Sequence, residues 1–251
     1  MKTTIITAIL ALVSLWSFGQ EQKPKETDKM ETAELNEQQV QALTMLAHGL
    51  STPPRTPIVR TPKEMGMEFE EVEFTTADGV VIKGWFIPAE SNRIIISNHF
   101  SPGNRYGFAG HMEGMDFAGG FEVNFIPRYK ALHDAGYNIL TYDLRSHGES
   151  GDSKDKISGV GYFEWQEVLA SIEYIRTREE TSNMDISLFS MCMGANATVN
   201  AIERSPEAFE NIKSLILVQP LKGQTSVERS CTNFGIPVEA GVSTFEPIYN
   251  K

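Results

Sequence analysis

The run Asp185-Ile186-Ser187-Leu188-Phe189-Ser190-Met191-Cys192-Met193-Gly194-Ala195 carries the densest chemistry in the chain. Cys192 stands between two small residues, Ser190 and Gly194, each two positions away. A strand-like apolar run enters it and helix-forming residues follow. That is the spacing of a nucleophile elbow, G-x-S-x-G, with cysteine at the reactive position. The reason for the spacing is steric. A nucleophile on a very tight turn needs small neighbours so that strand and helix can close on each other. At a helix N-terminus a thiol faces the positive end of the dipole, so a lowered pKa and a thiolate are expected. The alternatives for the same residue are an inert buried thiol and a disulfide with Cys231.

The elements that must hold this turn alternate along the chain. Phe69 to Phe74 alternates apolar and acidic residues, as an edge strand does. Ala77-Asp78-Gly79 turns it, and Val80 to Ile87 returns. Ile94-Ile95-Ile96 is wholly apolar, as in a strand covered on both faces. Then come a helix over Phe125 to Ala135, a strand over Tyr137 to Tyr142 and an amphipathic helix over Phe163 to Arg178. A strand over Met184 to Phe189, a helix over Ala195 to Arg204 and a strand over Leu215 to Val218 complete the order. An antiparallel start followed by β-α-β-α-β predicts the α/β class, a mostly parallel sheet flanked by helices. Upstream, Glu31 to His48 has helical spacing, and Thr52 to Pro57 reads as an extended linker. The glycine-rich stretch Gly107 to Gly120 reads as a long loop or a mobile lid.

With 251 residues, 41% of them apolar, the chain can bury a real core. Its 22 Lys and Arg against 33 Asp and Glu give a net charge of −11 with no basic block. A nucleic-acid partner is therefore not expected. Met1-Lys2, the apolar run Ile5 to Trp16 and the small residues Ser17 and Gly19 have the layout of a signal peptide over 1–19. Cleavage near Gln20 would export the chain to a periplasm or the exterior. The run is shorter than the about 20 apolar residues of a membrane span, so no stable anchor is expected after cleavage. The domains read as signal peptide 1–19; leader, helix and linker 20–63; and main domain 64–251. Two cysteines are too few for a disulfide scaffold or a zinc ribbon. His111-Met112-Glu113 lacks the second half of a zinc-deaminase motif. Neither a metal nor an organic cofactor is expected.

Three further stretches precede the elbow in order. They are Asp78-Gly79-x-x-Ile82-x-Gly84-Trp85, His99-Phe100-Ser101-Pro102-Gly103 and Asp143-Leu144-Arg145-Ser146-His147-Gly148-Glu149-Ser150. With them the chain resembles the α/β-hydrolase superfamily over roughly Met67 to Gln219. Its cysteine is similar to that of dienelactone-hydrolase-like members. The resemblance implies that Cys192 attacks an ester, thioester or lactone of a small-molecule acyl substrate and forms an acyl-enzyme. It implies an oxyanion hole made by the N–H of Met193 and one from Ser101, with Phe100 next in preference. Ser190 and Gly194 take the packing positions of the elbow.

In this family the acid and the histidine follow the nucleophile, on the last strands. After Cys192 this chain has neither Asp nor His, and all five histidines precede it. The fold is thus expected to be C-terminally incomplete. Three expectations stand together: a truncated remnant of a hydrolase, a hydrolase that recruits another base, and a non-catalytic ligand-binding protein. His99 is the best-placed substitute base, though a histidine there could instead be a structural donor. His147 and His133 read as structural. A sheet that stops after its sixth strand leaves an edge through which copies could self-associate.

Overall fold

The structure, a computed structural model, describes residues 35–116, 119–154 and 156–249. The signal peptide expected over 1–19 and the leader up to 34 lie outside these residues. No described helix is long and apolar enough to cross a membrane. The described residues form two compact units, one of residues 49–109, 122–154 and 156–222, the other of residues 35–48, 110–116, 119–121 and 223–249.

The larger unit is a six-stranded sheet in the order β1-β2-β6-β3-β7-β8. Its strands are β1 (Glu70–Thr75), β2 (Val81–Ile87), β3 (Arg93–Asn98), β6 (Asn138–Tyr142), β7 (Asp185–Met191) and β8 (Ser214–Val218). β1, β2 and β6 pair antiparallel, whereas β6, β3, β7 and β8 run parallel. The first hairpin closes at Gly79, whose φ of 88° is open to a residue without a Cβ. β3 buries Ile94, Ile95 and Ile96 together because helices cover both faces. On one face α3 (Trp165–Thr177) and α4 (Met193–Arg204) pack through Val168, Ile172, Met193 and Ala197 on Ile94, Ile96, Leu140 and Leu188. On the other, α2 (Ile126–Asp134) packs through Ile126 and Tyr129 on Trp85, Ile87 and Ile139. β8 lies at the end of the sheet order, with Leu215 and Ile216 exposed.

Two stretches carry tertiary contacts that the sequence did not signal. The proline-rich segment is not a free linker. Arg55 donates to the carbonyls of His147, Gly148 and Ser150 at 2.8–3.1 Å, and the Thr56 hydroxyl accepts from the Ala109 N–H at 3.2 Å. The glycine-rich stretch begins as a strand, β4 (Gly107–Ala109), paired antiparallel with β5 (Glu122–Asn124). Asn104 makes the turn into it by accepting from the N–H groups of Tyr106 and Gly107.

The smaller unit contains most of α1 (Glu37–Ser51) together with α5 (Gly223–Asn233) and α6 (Val238–Tyr249). α1 starts at a reciprocal cap: Asn36 Oδ1 accepts from the Gln39 N–H, and Gln39 Oε1 accepts from the Asn36 N–H. Leu43, Ala47, Val227, Cys231 and Ile236 are buried in this unit. After β8 the described chain is helical. Cys192 and Cys231 are both free thiols.

Candidate active site

β7 ends at Met191 and α4 begins at Met193, so a single residue makes the whole reversal. That residue, Cys192, has φ 49° and ψ −111°. A side chain other than glycine in such a region costs on the order of 1–3 kcal/mol and persists only where surroundings impose it. The surroundings are identifiable. The Cys192 N–H donates to Val218 O at 2.8 Å, and its carbonyl accepts from the Asn196 N–H at 2.9 Å. Gly194 N–H donates to His99 O at 3.1 Å, and a Cβ on Gly194 would meet Asn98 Cβ at 2.7 Å and His99 O at 2.8 Å. Only glycine lets α4 approach the end of β3 this closely. Ser190, fully buried, accepts from Asn98 Nδ2 at 2.7 Å and bonds Thr198 Oγ1 at 2.8 Å. One hydroxyl thereby ties β7 to β3 and to α4.

The loop after β3 closes over the same point. The backbone N–H groups of Met193 and Ser101 both face the Cys192 sulfur and favour its thiolate. Burial acts against them and is the largest influence, so the thiol is pushed up from its ordinary value. The lowered pKa expected from the helix dipole is corrected here, because desolvation of a partly enclosed sulfur outweighs two amide dipoles. Iodoacetamide should therefore label Cys192 more slowly at pH 7 than it labels free cysteine, with the rate still climbing at pH 9. Peptide mapping after timed alkylation checks this, and a plateau reached below pH 8 would refute it.

His99 is placed differently from a base. The residue is 1% exposed. Nε2 accepts from the Leu144 N–H at 2.9 Å, which leaves the proton on Nδ1, bonded to Phe100 O at 2.8 Å. Both nitrogens are taken up in joining the β3 loop to the segment after β6. Burial and the neighbouring His147 push its pKa down to about 3. A folded-state value below the unfolded one means that stability is lost as pH falls below about 6.5. Relative to His99→Gln, the wild type should lose about 2 kcal/mol of stability between pH 8 and pH 5. Urea midpoints of the two proteins at both values read this; a difference that does not change with pH would refute it. Phe100 offers its carbonyl to His99, whereas Ser101 brings its N–H to the sulfur.

His147, also buried, is the second histidine of this loop cluster. Its Nδ1 bonds Arg145 O at 2.8 Å, so the Nε2 lone pair accepts from the Ser101 hydroxyl at 3.0 Å. The rings of His99 and His147 lie 5.3 Å apart. Sequence reasoning treated His147 as structural and missed its link to Ser101, because nothing local in either stretch signals the other. The Asp143 segment is held by charge. Asp143, with no exposure, accepts from Arg105 Nη1, from the Arg105 N–H at 2.7 Å and from the Glu149 N–H at 2.8 Å. Arg145 is bound by Glu167 at 2.5 Å and Asp78 at 2.7 Å.

No protein-family model matches the chain. It is 27% identical over 152 residues to the uncharacterized protein YfhR of Escherichia coli K12, covering 59% of this chain and 46% of that one. The Salmonella typhimurium YfhR is 27% identical over 135 residues, covering 54% and 41%. The chain thus spans about half the length of the curated relatives it matches. Among solved structures, the esterase Pf2001 of Pyrococcus furiosus superposes with a TM-score of 0.57 at 27% identity, over 80% of this chain and 68% of that one. A second crystal form of the same esterase gives 0.53. Sheet order, elbow and these likenesses place the chain among proteins of the α/β-hydrolase fold.

Proposed function

We propose that this chain carries the acylating half-site of an exported hydrolase that cleaves an ester, thioester or lactone through a Cys192 acyl-enzyme. The observation that carries the reading is the strained Cys192 backbone with two amide N–H groups, of Met193 and Ser101, aimed at its sulfur. An isolated structural thiol has no use for that arrangement. In the attack, Sγ bonds the carbonyl carbon and the carbonyl oxygen takes up the negative charge. The two N–H groups receive that charge, a contribution of about 3–4 kcal/mol per donor in comparable holes. Collapse expels the alcohol or thiol and leaves a thioester.

The thiol proton needs an acceptor, and His99 offers none. The Ser101 hydroxyl already donates to His147 Nε2. In this reading the thiol proton passes to Ser101 Oγ while the Ser101 proton passes to Nε2. The leaving group or water then takes it from the imidazolium. Ser101→Ala keeps the N–H and removes the hydroxyl, so acylation should fall by about tenfold to 10²-fold. Stopped-flow release of p-nitrophenolate measures it; an unchanged rate would exclude the route through Ser101.

Burial holds the His147 pKa down. A poor base gives slow deacylation, so the expected behaviour toward p-nitrophenyl acetate is a burst of one product per chain followed by a slow phase. A ligand-binding protein without chemistry would give no burst, and that outcome would overturn the hydrolase reading.

A further inference from the structure

Arg105 and Arg145 are each paired with carboxylates, Arg105 with Asp143 and Glu149 and Arg145 with Glu167 and Asp78. Arg128 is not. It stands on α2 beside the top of β3 and β7, where Ser97 pairs in register with Phe189 and Met191 follows on the same face. Its Nη1 donates to the Met191 thioether at 3.1 Å and its Nη2 to Ser97 Oγ at 3.1 Å. Its Nε is buried without a hydrogen-bond partner. The guanidinium lies over three rings, 4.3 Å from the Phe125 centroid, 4.6 Å from Phe189 and 5.2 Å from Tyr129.

A guanidinium has five N–H donors. Two of these are used, both on neutral acceptors and one of them a weak sulfur. Among the described residues Arg128 makes no ion pair. A cation half withdrawn from water is costly unless an anion meets it. Nη1 and Nη2 each keep one hydrogen beyond their neutral acceptors, and that pair can serve a carboxylate. The residue it touches, Met191, is the neighbour of Cys192 in the chain.

We infer that Arg128 binds a carboxylate of the substrate, so that the compound acylating Cys192 is an anionic acyl ester or lactone, a half-ester of a dicarboxylic acid in its simplest form. The inference rests on the acyl-enzyme reading for the reaction but not for the binding. The test uses mono-p-nitrophenyl glutarate and its neutral counterpart p-nitrophenyl pentanoate, with wild type, Arg128→Lys and Arg128→Met. Methionine keeps apolar cover on the rings. Wild type should acylate faster with the glutarate, and Arg128→Met should lose about 10- to 100-fold on it while changing less than about threefold on the pentanoate. Arg128→Lys should fall between, since it keeps the charge and loses the fork. Equal losses on both esters, or no preference in wild type, would overturn the assignment and leave Arg128 as cover for the aromatic rings.

Calorimetric titration of glutarate into Cys192→Ala and Cys192→Ala/Arg128→Met separates the two readings. Binding that needs Arg128, with no burst from either ester, would retain the carboxylate site and discard the hydrolase. No binding and no preference would discard the carboxylate site while a burst kept the hydrolase.

Discussion

Cys192→Ala should abolish the p-nitrophenolate burst, with acylation falling on the order of 10³-fold or more, to the background rate. The backbone that positions the sulfur does not depend on it. The Cys192 N–H still donates to Val218 O, and its carbonyl still accepts from Asn196. Alanine should thus keep the fold and the N–H groups of Met193 and Ser101 while removing the sulfur that, in the proposed reaction, bonds the carbonyl carbon. Cys192→Ser should not rescue the reaction. A hydroxyl is far less acidic than a thiol, and the proton acceptor behind Ser101 is a buried, weakly basic imidazole. Stopped-flow burst amplitude and thermal unfolding, measured side by side, check both statements. A burst that survives in the alanine variant would assign the acyl group to another nucleophile.

Asp143→Ala should destabilise the larger unit by about 3–5 kcal/mol. The Arg105 side chain is 2% exposed, and its Nη1 would lose its buried carboxylate. The N–H groups of Arg105 and Glu149 would lose their acceptor at the same time. A buried guanidinium left with only its exposed carboxylate partners, together with orphaned donors, costs far more than the lost attraction of an exposed pair. Glu149→Ala is the control. It removes another Arg105 partner, but the Glu149 side chain is 62% exposed, so water replaces it. Urea unfolding followed by circular dichroism reads the difference. A loss below about 1 kcal/mol for Asp143→Ala would mean that Arg105 finds another carboxylate. Against a total stability of about 5–15 kcal/mol, the expected loss leaves little margin for folding.

Most of the sheet was legible because its patterns are local. Three consecutive isoleucines, the Asp78-Gly79 turn and the Ser190-x-Cys192-x-Gly194 spacing each state their structure within a few residues. The strand ends observed differ from the expected ones by a residue or two. The glycine-rich stretch was misread in part, because the short ladder of β4 with β5 depends on Asn104 and on a strand thirteen residues downstream. The proline-rich segment was read as extended, and what anchors it was not legible for a similar reason. Its order comes from Arg55 reaching carbonyls more than ninety residues away.

The site divides the same way. That Cys192 would be strained at an elbow, and that Ser190 and Gly194 would flank it closely, follows from residue size and chain reversal alone. The sequence also settled that no Asp or His follows Cys192. Which histidine meets the Ser101 hydroxyl was decided only by folding. His99 and His147 sit close in space, and their roles differ through the partners of single ring nitrogens: a backbone N–H on His99 Nε2 and the Ser101 hydroxyl on His147 Nε2. The ionisation of Cys192 was likewise a tertiary matter. A helix dipole can be read from the sequence, but desolvation depends on what the fold packs around the sulfur, and here it is the larger effect.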